Sequence, residues 1–292
     1  MSSAKSRSLP LLGAHVSTAG GVAEAPARAA AIGANVIQIF TKQVNRWAER
    51  EIDAETASSF RAACDRDGVR IAGSHDSYLI NLASPAPALR QKSYRSFCHE
   101  LERCRVLELD FLVSHPGNAT DGDRGAGLRR NAEAIRRALS EVEGVTPVLL
   151  EATAGQGTAL GASFEELAEL IERVGPAFED RLGICIDTAH VFAAGYDIAR
   201  NYDRVMASLE RIVGLERVLL FHVNDSKTAL GSRVDRHEEL GKGELGAEAF
   251  RHLMRDARFA EVPKVIETPK GDDVVRADRR NLRFLRRCSN RA

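Results

Sequence analysis

Residues 146–190 read TPVLLEATAGQGTALGASFEELAELIERVGPAFEDRLGICIDTAH. Two apolar runs, TPVLLEAT (146–153) and LGICIDTAH (182–190), flank a stretch, Phe164–Val174, whose apolar residues recur with the period of a helix. The runs are apolar on successive residues and do not alternate, which is the pattern of strands buried on both faces. Strand, helix and strand in this order form a parallel βαβ unit, because a crossover helix is what joins neighbouring parallel strands.

The same unit repeats in both directions. Upstream lie the runs LPLLGAHV (9–16), NVIQIFT (35–41), VRIAGSHD (69–76) and LDFLVSHP (109–116); downstream lie RVLLFHVND (217–225) and VPKVIET (262–268). Helical periods occupy Ala54–Arg66, Ala88–Leu107, Gly125–Val142, Tyr202–Val213, Ala247–Asp256 and Asp272–Arg287. Eight strand-like runs without a linker or composition shift predict an α/β fold. It is a single-domain (β/α)8 TIM barrel over residues 9–292, behind a disordered tail at 1–8. A doubly wound open sheet is the structural alternative.

The chain carries 41 Lys+Arg and 41 Asp+Glu. This zero balance excludes a strongly basic nucleic-acid arm but not a local binding groove, since field depends on where charges sit. The Arg-rich last 17 residues read as a solvated helix face. Five cysteines, an odd number with no CxxC pair, suit reduced thiols in a cytoplasmic protein. No signal segment and no apolar run of about 18 residues is present, so no membrane partner is expected.

Polar residues fall where the strands end. Seven of the eight runs close on a metal-ligand type of side chain: His15, His75, His115, Glu151, Asp187 with His190, His222 and Glu267; only the run ending at Thr41 lacks one. In a barrel these ends converge at the C-terminal mouth, where active sites of this fold are built. A single His there is ordinarily a hydrogen-bonded structural residue, and a single Asp or Glu a helix cap. The set resists that reading. Six of the eight histidines lie at these ends or in the loop after the seventh run. Six imidazoles and four carboxylates in one mouth would be costly in desolvation and repulsion without cations. That loop, SRVDRHEELGKG (232–243), adds Asp235 and His237, whose spacing of two puts both on one face of an extended segment. His99 and His252 fall within helices and read as surface residues. Imidazole and carboxylate without thiolate favour zinc, with manganese or iron possible. A polymetal site at the C-terminal mouth is the expectation.

The polar ends sit in longer phrases: GAHVSTAGG (13–21), HDSYLINLASP (75–85), HPGN (115–118), EATAGQGTALG (151–161), CIDTAHVFAAGYD (185–197), HVNDSKTALGSRVDRHEELGKGELG (222–246) and IETP (266–269). In content and order they resemble the endonuclease IV family of apurinic/apyrimidinic endonucleases. The resemblance implies three zinc ions. His75, His115 and Glu151 would hold the first. Glu151 would bridge to a second, shared with Asp187, His222 and Glu267. His190, Asp235 and His237 would hold the third, with His15 nearby but not a ligand. It implies hydrolysis of the phosphodiester 5′ to an abasic site, leaving a 3′-hydroxyl and a 5′-deoxyribose phosphate. Trimming of blocked 3′ ends in base excision repair is implied as well. Glu151 and Glu267 would be the catalytic carboxylates and double-stranded DNA with abasic sites or blocked 3′ ends the partner; a compact barrel is expected to act on it as a monomer. Three dications against four carboxylates leave roughly +2, an attractor for a phosphodiester in a neutral protein.

Tyr78 and Leu79 match the residues the family inserts into the duplex. An Arg that enters the DNA two residues before a Trp in the family is replaced by Asn45, with Arg46 following; which of the two enters the duplex stays open. Ala152 and Ala189 stand where the family commonly has Asn and Cys. Lys42, Arg46, Lys227, Arg233, Arg236 and Lys242 fall in mouth loops and are candidate phosphate contacts. A sugar isomerase or epimerase on the same barrel, and a non-catalytic DNA-binding module, are the competing readings. An isomerase would not need Asp235 and His237 as a third-metal pair, and the HDSYL loop also favours a nuclease; burying nine ligands merely to bind DNA is implausible.

Overall fold

The computed structural model describes residues 9–290, so the tail expected at 1–8 lies outside the described residues. The strands are β1 (Leu12–His15), β2 (Val36–Ile39), β3 (Ile71–His75), β4 (Phe111–Ser114), β5 (Val148–Glu151), β6 (Leu182–Asp187), β7 (Val218–His222) and β10 (Lys264–Ile266), with a short antiparallel pair, β8 (Asp225–Ser226) and β9 (His237–Glu238), after β7. The eight long strands are parallel and close in chain order, β10 pairing with both β7 and β1. Leu12 lies opposite Lys264 at this seam, so the sheet is a closed TIM barrel and the open-sheet alternative is excluded.

Helices α1 (Ala25–Ile32), α2 (Ala54–Asp67), α3 (Pro87–Leu107), α4 (Arg124–Glu141), α5 (Phe164–Val174), α6 (Thr188–Ala194), α7 (Tyr202–Ile212), α8 (Gly246–Arg255) and α9 (Val274–Ser289) surround the barrel. Two of them depart from the sequence reading. α1 is alanine-rich, and alanine gives little contrast between a buried and an exposed face. α6 begins inside the run LGICIDTAH, which reads as one strand. The strand stops at Asp187 because its carboxylate caps α6, accepting from the backbone N–H of Ala189 (2.7 Å) and His190 (2.9 Å). His190 therefore stands on the first turn of a helix and not on a strand. Arg276, Arg279, Arg280, Arg283 and Arg287 are exposed along α9, as expected of a solvated face.

Alternation along each strand decides which side chains enter the barrel. One apolar cluster draws Leu11, Val36, Phe111, Val113, Leu149, Cys185, Leu220 and Val265 into the interior. The residues two or four positions further on are His15, Gln38, His115, Glu151, Asp187, His222 and Glu267. On β3 the same parity runs through Gly73 to His75; a Cβ at Gly73 would stand 2.1 Å from the Phe111 ring, so glycine makes room for it. The mouth layer is thus fixed by the same period that builds the core.

Candidate metal centre

Seven of the nine residues expected as ligands arise at or just past barrel strand ends, or on the helix turn that follows; Asp235 and His237 come from the loop closed by the β8–β9 pair. Asp225, fully buried, shapes that loop by accepting from the N–H groups of Gly241, Gly243, Leu245 and Ser226. A Cβ at Gly243 would lie 2.3 Å from the Ser226 carbonyl oxygen, so only glycine fits there.

The donor atoms form three overlapping groups, each within 4.8 Å: His75, His115 and Glu151; Glu151, Asp187, His222 and Glu267; and Asp187, His190 and His237. Glu151 belongs to two groups, as expected of a bridging residue. Its Oε2 lies 3.1 Å from His75 Nε2 and 3.0 Å from His115 Nε2, and its Oε1 lies 3.0 Å from His222 Nδ1. The third group differs from the expected set by including Asp187, whose Oδ2 is 3.5 Å from His237 Nε2. Asp235 stands beside the group, its Oδ1 3.2 Å from His190 Nε2 and 3.5 Å from His237 Nε2. Asp187 can do both because capping α6 occupies only Oδ1.

The imidazoles are held from behind. His75 Nδ1 lies 2.8 Å from the Asp76 carbonyl, His190 Nδ1 is 3.0 Å from that of Ala152, and His237 Nδ1 is 3.3 Å from that of Glu267. A carbonyl only accepts, so each ring donates from Nδ1 and turns Nε2 inward, where loss of the Nε2 proton leaves the lone pair a metal ligand needs. The Nε2 atoms of His190 and His237 are buried without a hydrogen-bond partner even though carboxylate oxygens lie close. Buried nitrogens without a partner, converging on shared carboxylates, fit a cation between them.

The titration behaviour points the same way. Burial would lower the His75 pKa, but its hydrogen bond to Glu151 and that carboxylate's charge raise it to about 9. His190 and His222 are likewise raised against their burial, by Asp187 and Asp235 for His190 and by Cys185 and Glu267 for His222. Burial would raise Glu151 and Glu267, yet the charge of His222 leads in holding both below the usual carboxylate range. The carboxylates of the centre thus favour positive charge on its imidazoles.

Two residues near the expected ligands escaped the sequence reading. Asn224, fully buried, donates to Asp187 Oδ2 (2.7 Å) and accepts from the Glu267 N–H (2.7 Å). Gln38, also fully buried, contacts His15, His222 and Glu267. Its one available signal is that it is the polar residue inside NVIQIFT, the run that lacks a ligand at its end.

Around the mouth, Tyr78 is 64% exposed, with its ring 5.4 Å from Phe40 and 5.9 Å from His75. Leu79 is half-buried, while Asn45 and Arg46 are both exposed at the tip of the loop after β2. Lys227, Arg233 and Arg236 are exposed, and so is Lys242, paired with Glu239 at 2.7 Å. Lys42 departs from expectation. Its amine is buried beneath the loop on Glu49 (2.9 Å), Ser96 (3.0 Å) and the Arg46 carbonyl (3.2 Å), so it braces the loop and is not free to meet a phosphate.

Comparison with known proteins agrees with this geometry. Residues 26–288 match a family described as a xylose isomerase-like TIM barrel. A probable endonuclease 4 of Chloroflexus aggregans is 52% identical over 281 residues, covering 95% of this chain and 97% of the relative. Endonuclease IV from Thermus thermophilus superimposes with a TM-score of 0.85 at 37% identity, over 96% of this chain and 98% of that one. D-psicose 3-epimerase from Clostridium cellulolyticum reaches a TM-score of 0.70 at 14% identity, covering 97% of this chain and 100% of that one, a likeness of fold alone. With half its residues identical across nearly its whole length to a probable endonuclease 4, and with the barrel that family shares, the chain belongs to the endonuclease IV family.

Proposed function

We propose that the chain is a zinc-dependent DNA repair endonuclease. It hydrolyses the phosphodiester 5′ to abasic sites, leaving a 3′-hydroxyl and a 5′-deoxyribose phosphate, and trims blocked 3′ ends in base excision repair. One observation carries the reading: three overlapping donor groups share Glu151 and Asp187 at one barrel mouth. His75, His115 and Glu151 would hold one zinc ion; Glu151, Asp187, His222 and Glu267 a second; His190, Asp235 and His237 the third. Manganese or iron could occupy some positions.

Bound ions supply charge to stabilise the phosphoryl group and make water nucleophilic near neutral pH. The chain's own contribution is placement. Glu151 faces two donor groups and fixes their separation. Glu267, whose backbone N–H donates to the side-chain amide oxygen of Asn224, presents its carboxylate beside His222. Tyr78, exposed with its ring edge-on to that of His75, would fill the gap where a base is missing, together with Leu79. One of Asn45 and Arg46 enters the duplex, and Lys227, Arg233 and Arg236 meet phosphates. A sugar epimerase would have no use for Asp235 and His237 as a further donor pair. The protein acts as a cytoplasmic monomer on double-stranded DNA; among the described residues no helix is long and apolar enough to cross a membrane.

The test is a duplex carrying one tetrahydrofuran abasic analogue, which cannot undergo β-elimination. A single cut 5′ to the analogue with a 3′-hydroxyl end is expected. An intact duplex after prolonged incubation with zinc-loaded protein would overturn the proposal.

A further inference from the structure

Seven barrel strands deliver a His, Asp or Glu to the mouth layer, and β2 delivers Gln38. The amide is fully buried. Its Nε2 lies 2.7 Å from Glu267 Oε1 and 3.0 Å from His15 Nδ1, and its Oε1 lies 2.7 Å from His222 Nε2. The chemistry of the neighbours fixes which end is which. An ionised carboxylate only accepts, so the NH2 group faces Glu267. The amide oxygen then accepts from His222, which must carry its proton on Nε2. With that proton fixed on Nε2, Nδ1 is the nitrogen that faces Glu151 Oε1 (3.0 Å), Glu267 Oε2 (3.4 Å) and Asp187 Oδ2 (4.0 Å), and giving up its proton to an incoming cation would free a lone pair there.

His75, His190 and His237 have their proton positions set by backbone carbonyls. For His222 a side chain does this. The same side chain ties one Glu267 oxygen and leaves the other free to face the donor group. We infer that Gln38 is the positioning residue of the Glu151–Asp187–His222–Glu267 donor group, setting the tautomer of His222 and the orientation of Glu267 with one amide. An apolar residue there would leave a buried imidazole N–H and a buried carboxylate oxygen unpaired. A carboxylate would add a further negative charge against Glu267. Only a neutral group that both donates and accepts serves both partners. This inference rests on the reading of the group as a metal site.

The test compares wild type with Gln38→Met and Gln38→Glu, using zinc alone in competition with a chelator and 113Cd NMR of cadmium-loaded protein. Loss of a partner behind a metal ligand weakens binding about 10–100-fold. Both variants are expected to bind one ion that much more weakly and to shift or lose the matching 113Cd resonance. The resonance of the His75–His115 ion should stay in place, and Gln38→Glu carries the test if Gln38→Met does not fold. Affinities unchanged in a folded variant would overturn the role of Gln38 alone. An equal loss across all ions would assign it to the fold and overturn the inference as well. A wild-type protein that takes up no ion would overturn both the inference and the metal reading beneath it.

Discussion

Glu267 shows most clearly what a single side chain does here. Its carboxylate lies 3.4 Å from both His222 Nδ1 and His15 Nδ1, and its own backbone holds the His237 ring at 3.3 Å. Glu267→Gln keeps the shape and removes the charge. Turnover on abasic duplex is expected to fall by about two orders of magnitude or more, with the circular dichroism spectrum retained; unchanged turnover would remove Glu267 from the chemistry. Tyr78→Ala is expected to weaken binding to abasic duplex about tenfold and to intact duplex much less, as titrations of the two would reveal. Equal losses would make Tyr78 an ordinary surface contact. The ionisable residues were legible in the sequence because His, Asp and Glu are conspicuous at the end of an apolar run. Gln38 and Asn224 were not, since a neutral amide has no ligand signature and shows its importance only through its partners.

At the scale of elements, the loop carrying Asn45 and Arg46 is held by buried charge. Glu49 accepts from Lys42, Ser96 and Arg103, while Arg103 also reaches Thr41 (2.8 Å) and pairs with Glu100 (2.9 Å) on α3. Glu49→Ala would leave the buried Lys42 amine without its counter-charge, a loss of about 3 kcal/mol. A lower thermal midpoint and a raised KM for abasic duplex, with a smaller change in kcat, are expected; an unaltered KM would mean that the loop's position is set elsewhere. Lys42 looked like a phosphate contact in the sequence because a lysine in a mouth loop gives no sign of what lies below it. The strands were readable through their apolar runs, and the βα repeat gave the barrel. Helix α6 is hidden in the sequence because the apolar pattern of β6 continues through it; only the capping geometry of Asp187 marks the break.

For the whole molecule, zero net charge surrounds a mouth that gathers protonatable side chains. Without metal, His75 holds its proton up to about pH 9, and His190 and His222 are raised as well. A metal must displace these protons, so uptake releases them and apparent affinity falls as pH drops below this range. Calorimetry in buffers of different ionisation enthalpy at pH 6–7 is expected to report proton release; a pH-independent affinity between 6 and 9 would contradict it. Binding to DNA should weaken with salt, the logarithmic slope growing by about 0.9 per phosphate contacted. On the proposed reading the mouth is a three-ion centre. Elemental analysis of protein purified without chelator measures this directly. About three zinc ions per chain is the predicted result, and a reproducible value near one or below would contradict the account.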